Sequence, residues 1–254
     1  MNRTSTISLS ALAGAAVLAT GVLMMNGGAA ARPSADPRDA IVMGHGLEVI
    51  DSRTADHWVS GAQHVVTYTV TGETGQPPQD NEVERQEGLT YRTVHAHVDK
   101  VLWSKDGAPK PPAGTWDFRT YGSAFNNNDG AGTAKFALEG RPRVEAGHTY
   151  IAALRWRDDP CSDDPAKGTW GSLGSGAILP YDGEVIGQGE YEGRVRTAVQ
   201  NKALMTEESP DGALAGKLAG QKVESLLEAL KQAKPIQGFG ADLAETCDPE
   251  DAAG

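Results

Sequence analysis

The stretch GLTYRTVHAHVDKVLW, residues 88–103, decides the fold class. Val94, Ala96, Val98 and Leu102 fall on one side of an extended chain, and Tyr91, Thr93, His95, His97 and Asp99 on the other. A period of two belongs to a strand with one buried face, because successive side chains of a strand point to opposite sides. Upstream, QHVVTYTVT at 63–71 sets Val66, Tyr68 and Val70 against Val65, Thr67 and Thr69. Comparable short apolar or alternating segments are GLEVID at 46–51, GTWDFRTY at 114–121, GTAKFALEG at 132–140, HTYIAALRW at 148–156 and GRVRTAV at 193–199. Clusters of Gly, Pro, Asn and Asp separate them. Short strands with this punctuation predict a mainly β domain, either a sandwich or a small closed barrel. A parallel α/β sheet is disfavoured, since the connections lack the helices that parallel crossovers need.

Composition agrees. The 254 residues include 31 glycines and 14 prolines, residues that weaken helix interiors and favour turns. All aromatic residues except Phe239 lie between Trp58 and Tyr191, which places the core in the middle of the chain. The formal net charge of −11 disfavours nonspecific attraction to nucleic acid or an anionic membrane. No nucleic-acid partner is expected.

Four regions emerge. Residues 1–31 read as a signal peptide or an N-terminal membrane anchor: Arg3, an apolar run from Leu9 to Met25, then small residues at Ala29 and Ala31. As a helix, Ile7 to Met25 would reach roughly 28 Å, close to a bilayer's apolar thickness, so an uncleaved anchor is the alternative. Residues 32–44 form a linker, 45–200 the β domain, and 201–254 a helical tail ending in acidic residues. In that tail Leu214, Leu218, Val223, Leu226, Leu227 and Leu230 make an apolar stripe, and Pro235 stops it. The stripe predicts an amphipathic helix near 217–234 packed on the β domain. The chain is expected to be secreted or extracytoplasmic. Membrane contact is expected only through an uncleaved N-terminal segment. Export permits a disulfide, and Cys161 and Cys247 allow one intramolecular pairing.

The clearest chemical pattern is His95-x-His97-x-Asp99. Side chains two apart on a strand stand about 6.6 Å apart on one face, so these three could converge on zinc with a fourth ligand such as His64. A metal-dependent hydrolase is the function that this site implies. Asp158, Asp159, Asp163 and Asp164 around Cys161 offer oxygens to calcium, but no EF-hand spacing is present. NNNDGAG at 126–132 begins like a calcium loop and lacks its closing carboxylate. GSLGSG at 171–176 is neither a nucleophile elbow nor a phosphate-binding loop. Trp58, Trp103, Trp116, Trp156 and Trp170 are core candidates, from which one or two could face a glycan.

A small-residue signal, a glycine-rich β domain and an acidic, alanine-rich tail together resemble uncharacterised exported proteins of high-GC Gram-positive bacteria. The succession of seven strands also resembles NTR or OB-like exported modules. Neither resemblance brings catalytic residues. The leading expectation is therefore a noncatalytic extracytoplasmic binding or structural module for an envelope protein or a glycan, without a cofactor. The hydrolase built on His95, His97 and Asp99 is the alternative.

Overall fold

The computed structural model describes residues 40–46, 50–128, 132–162, 164, 167–207 and 213–240. Residues 1–39, with the expected signal or anchor, and Asp163, Cys247 and the acidic C-terminus lie outside the described residues. The strands are β1 (Ile41–Gly44), β2 (His64–Gly75), β3 (Glu87–Ser104), β4 (Gly114–Asn126), β5 (Gly132–Leu138), β6 (Thr149–Asp158), β7 (Gly168–Ser172), β8 (Ile178–Pro180), β9 (Gly189–Tyr191) and β10 (Arg194–Arg196). The helices are α1 (Ala55–Gly61), α2 (Asp80–Arg85), α3 (Ala198–Glu207), α4 (Leu214–Leu218) and α5 (Val223–Gln232).

Eight strands form one sheet in the order β1-β5-β4-β3-β2-β6-β7, with β8 also on β6. β1 runs parallel to β5 and the other neighbours are antiparallel, so the sheet is mixed. It curls until the Trp116 indole N–H of β4 donates to the Trp170 carbonyl of β7 at 3.0 Å. No ladder joins those two strands. The expected closed barrel or two-sheet sandwich is thus corrected to an open, curled mixed sheet. A separate two-stranded ladder joins β9 and β10.

Each face of the curl has its own core. Inside lie Val66, Tyr68, Val70, Val94, Ala96, Val98, Trp116, Tyr150 and Leu154. On the other side, Val65, Ile151, Ala153 and Leu173 pack on Trp58 of α1 and on Leu214, Leu218, Leu226 and Leu230 of α4 and α5. Val94, Ala96 and Val98 occupy the predicted inner face, whereas Leu102 packs on the helix side. The register shift between Thr67 and Tyr68, which inserts Asp99 after Val98, explains the switch, because one extra residue reverses side-chain parity.

The helices follow local chemistry. Thr54 accepts from the His57 N–H at 3.2 Å and caps α1, whose Trp58 donates to the Ser52 carbonyl at 2.7 Å. Gln79 and Glu82 form a reciprocal capping box for α2. The predicted tail helix is two helices: Gly220, at φ +87°, breaks the run, and the turn bonds to Ile186 through Ile186 N–Gln221 O and Gly220 N–Ile186 O. In α5, Leu226 and Leu230 are buried and contribute roughly 1.5–3 kcal/mol each. At the other end, Ile41–Gly44, read as linker, is an edge strand, while residues 47–49 of the GLEVID segment lie outside the described residues.

No helix among the described residues is long and apolar enough to cross a membrane, and Ile7–Met25 is not among them. Cys161 is not a free thiol. No disulfide joins two described residues, so the expected Cys161–Cys247 bond is not among the contacts described.

Candidate functional site

His95, His97 and Asp99 lie on the sheet face predicted for them, but their side chains go to different partners. His95 lies between Asp117 Oδ1, 3.0 Å from its Nδ1, and Thr74 Oγ1, 2.9 Å from its Nε2. Asp99 sits where the β2–β3 register slips, and its Oδ2 accepts from Thr69 Oγ1 at 2.8 Å. His97 is exposed. His64 is buried near the far end of the ladder, with Nδ1 2.9 Å from Ser104 Oγ and Nε2 2.7 Å from the Pro109 carbonyl. Among the described residues no group of three or more His, Cys, Asp or Glu side chains is placed to hold a metal ion. That geometry argues against the zinc site and against the hydrolase built on it.

The calcium candidates resolve into turns. Asp159 Oδ1 accepts from the Cys161 N–H at 2.9 Å, and Asn126 Oδ1 from the Asn128 N–H at 3.0 Å. Both are short Asx contacts to the backbone two residues on. Asp163 and residues 129–131 lie outside the described residues. The tryptophans divide as well. Trp58, Trp116 and Trp170 are core residues, and Trp103 packs partly buried on the helix-side core. Trp156 is half-buried.

A buried charge network occupies one end of the curl, unforeseen from sequence. Glu190, 1% exposed, accepts four hydrogen bonds: Arg143 N–H at 3.0 Å and Gly193 N–H at 2.6 Å on Oε1, and Val144 N–H at 2.9 Å and the Tyr150 hydroxyl at 2.8 Å on Oε2. Arg92, 2% exposed, donates to Glu73 and to the carbonyls of Tyr121, Arg143 and Val144. Burial, with Arg143 next, lowers the Arg92 pKa against the opposing pull of Glu73. Burial, and then the Glu190 charge, raises the Tyr150 phenol far above its ordinary range. Glu145 is pushed up by burial, yet its bonds to Lys135 and Arg143 win and hold it below the usual carboxylate value. The network ties β3, β4, the loop before β6 and β9 together. Its acceptors and donors are turned on one another, so it works as a clamp.

A cleft of about 360 Å³ lies beside α1. β2 pairs β6 only as far as His64 opposite Leu154, so Arg155 and the residues after it run beyond β2. There the Gln63 side chain replaces the missing strand, its Oε1 accepting from the Trp156 N–H. Its amide nitrogen has no protein partner among the described residues. The turn after β3 forms the opposite wall, with Lys105 N–H bonded to the Gln63 carbonyl at 2.9 Å and Gly107 at φ +74°. His64 fastens this turn through Pro109. Lys105 Nζ donates to the Ser60 carbonyl at 3.0 Å and so lies over the cleft.

The segment after α5 closes the third side. Lys234 N–H bonds Asp56 Oδ1 at 2.9 Å, Ile236 N–H bonds Ser60 Oγ at 2.7 Å, and the Phe239 ring stacks on His57 at 5.4 Å. Gly61 keeps the approach close here: a Cβ would stand 2.5 Å from the Phe239 ring and 2.7 Å from Leu173, so those side chains would have to shift. The cleft is therefore lined by a Gln63 amide nitrogen with no partner among the described residues, the Lys105 ammonium, the exposed carboxylate of Asp106 and apolar floor from Leu173 and Phe239. That is a set for holding a polar ligand. No nucleophile–base pair is seen among the lining residues. No protein-family model, curated protein or solved structure matches the chain.

Proposed function

We propose that the chain is a noncatalytic binding module that works outside the cytoplasm and holds a glycan or an envelope protein in the Gln63–Lys105–Arg155 cleft. The observation that carries this reading is the Gln63 side chain. It is fixed by the Trp156 N–H at one atom, and at the other its amide donors have no partner among the described residues. A fixed, unsatisfied amide beside apolar floor favours a hydroxyl-rich partner, since site polarity usually comes from a few convergent groups on a preformed wall. The signal-like N-terminus supports the extracytoplasmic setting. Calorimetric titration of the full chain with soluble envelope oligosaccharides and purified envelope proteins tests the reading. Saturable binding that is lost on Ala108→Trp, which fills the cleft, is expected. Saturable binding that survives Ala108→Trp, or no binding of any partner, overturns it.

A further inference from the structure

Building on the reading of the cleft as a partner site, we propose that its occupant is polypeptide: an extended segment of an envelope protein that adds to the open edge of β6. β6 pairs β7 as far as Asp158 opposite Gly168, but on its other side the ladder with β2 ends at His64 opposite Leu154. Trp156 turns its N–H toward the missing strand, onto the Gln63 side chain, and backbone groups two residues apart in an antiparallel strand point the same way. The Trp156 carbonyl and the Asp158 N–H and carbonyl therefore face the open side. None of the three has a partner among the described residues. On the β7 side, by contrast, the Asp159 N–H is taken by the Lys167 carbonyl at 3.0 Å.

This row sets the class of partner. Acceptor, donor, acceptor at strand spacing is the pattern that another polypeptide backbone complements with its own N–H and C=O groups, and an open strand edge is a template for such pairing. A saccharide has hydroxyls but no repeat tied to the two-residue step of a strand, about 6.6 Å. The Gln63 amide itself stands in for one peptide unit. Its oxygen accepts from Trp156 where a carbonyl of a longer β2 would, and its NH₂, without a partner among the described residues, is placed to donate to a carbonyl of the incoming chain. Specificity comes from the floor. Leu173 and Phe239 line the same cleft and belong to the helix-side core, so an added strand seats an apolar side chain there from one of its two faces. The opposite wall includes Gly107 and Ala108, which carry no bulky side chain into the path. The open row is short, so backbone pairing and the apolar anchor act together.

The test is selection from a random dodecapeptide display library on the immobilised full chain, followed by calorimetry with the selected peptides made synthetically. Binding is compared on the wild type, on Asp158→Pro and on the distant control Lys231→Gln. Asp158→Pro removes an N–H that β7 does not use and sets the ring in the path of an incoming backbone. Each peptide is also made with single backbone N-methyl groups along its length. The expected result is saturable binding that weakens about tenfold or more in Asp158→Pro and is unchanged in Lys231→Gln. N-methylation should weaken it by a similar factor at alternate positions only, since every second N–H of an added strand faces β6. That pattern is read on the unmodified protein, so it stands even if Asp158→Pro folds poorly. Uniform tolerance of N-methylation, undiminished binding to a folded Asp158→Pro, or no enriched peptide overturns strand addition. The reading beneath it fails separately: peptides lost on Ala108→Trp but indifferent to N-methylation keep a cleft site without an added strand, and oligosaccharide binding without peptide binding keeps the glycan.

Discussion

Replacing Glu190 by Gln keeps the shape of the side chain and removes its charge, so it isolates what the buried carboxylate contributes. Its four partners are all donors, two on each oxygen. An amide has one oxygen, so whichever way Gln turns, its NH₂ meets two former donors. At the Oε2 side the Tyr150 hydroxyl could rotate to accept, because it has lone pairs to spare beside the bond from Glu145 N–H at 2.9 Å. Val144 N–H would still be orphaned. One buried donor left unpaired costs about 1–3 kcal/mol, and the bonds that survive lose their charge assistance. Removing a negative charge beside the buried Arg143 and Arg92 adds to this, and breaking such buried charge arrangements commonly costs about 3–5 kcal/mol. We therefore expect Glu190→Gln to destabilise by about 4 kcal/mol in urea melts, with an unchanged m-value. Tyr150→Phe should cost less, about 1–3 kcal/mol, because it leaves the carboxylate three bonds, although it also strips the Glu145 N–H of its acceptor. The double variant should fall short of the sum of the single ones, since the two groups share one interaction. A loss below about 1 kcal/mol for Glu190→Gln would show that the network is not the clamp described above.

Other perturbations discriminate the remaining claims. Tyr68 and Tyr150 are both raised above the ordinary phenol value of 10.0, first by burial. Unfolded tyrosines ionise near that value while folded ones stay neutral, so stability should be level below about pH 10 and fall above it, as urea midpoints at rising pH would record. Asp51, lowered chiefly by its hydrogen bond from Arg53, and Glu145 both sit below their ordinary values of 3.8 and 4.5. Their contribution is present above those values and should drain away as pH falls through the lower folded ones, making the acid limb of the same titration shallower in Glu145→Gln. Exhaustive chelation should leave the thermal midpoint unmoved, and a drop of several degrees would revive a metal site. Gly61→Ala should destabilise by about 1–3 kcal/mol through overpacking against Phe239 and Leu173, seen as a lower urea midpoint.

The curled sheet is legible in sequence where one face is buried and one is wet. In β3 the alternation of Val94, Ala96 and Val98 with His95 and His97 specifies register, because a slip by one residue would turn every apolar group outward. Extra residues in β3 are not legible: nothing in HVDKVLW announces the slip that sends Leu102 to the helix side. α1 leaves no periodic pattern because seven residues hold too few turns, and its stability comes from Thr54 and from Trp58 packed in the core. The tail helix is visible as a stripe, but Leu218 and Val223 sit on either side of a turn held by Ile186, a contact that sequence spacing cannot show. Barrel closure is beyond reach for a similar reason. It depends on how strongly the sheet coils, and β4 and β7 approach closely enough for one indole bond without pairing.

Charged residues mislead in a consistent direction. His-x-His-x-Asp draws attention because its members are close in sequence, yet proximity along a strand only offers convergence. Asp117 and Thr74 hold His95, and Thr69 holds Asp99. Glu190 and Arg92 look like surface residues, since a Glu between glycines in GQGEYEG has no local mark of burial. Their partners in β4, in the loop before β6 and in β6 itself lie 29 to 52 residues away in sequence. Val144 shows how much that network can hold in place. It is a β-branched residue at φ +68°, a conformation that costs about 1–3 kcal/mol and that a turn would normally give to glycine. Its N–H is taken by Glu190 and its carbonyl by Arg92, while its side chain is buried in the inner core. Glycine would relieve the backbone and lose that packing; the carboxylate and guanidinium let the chain keep both the tight bend and the apolar side chain. The buried charges are therefore explained by the backbone they position.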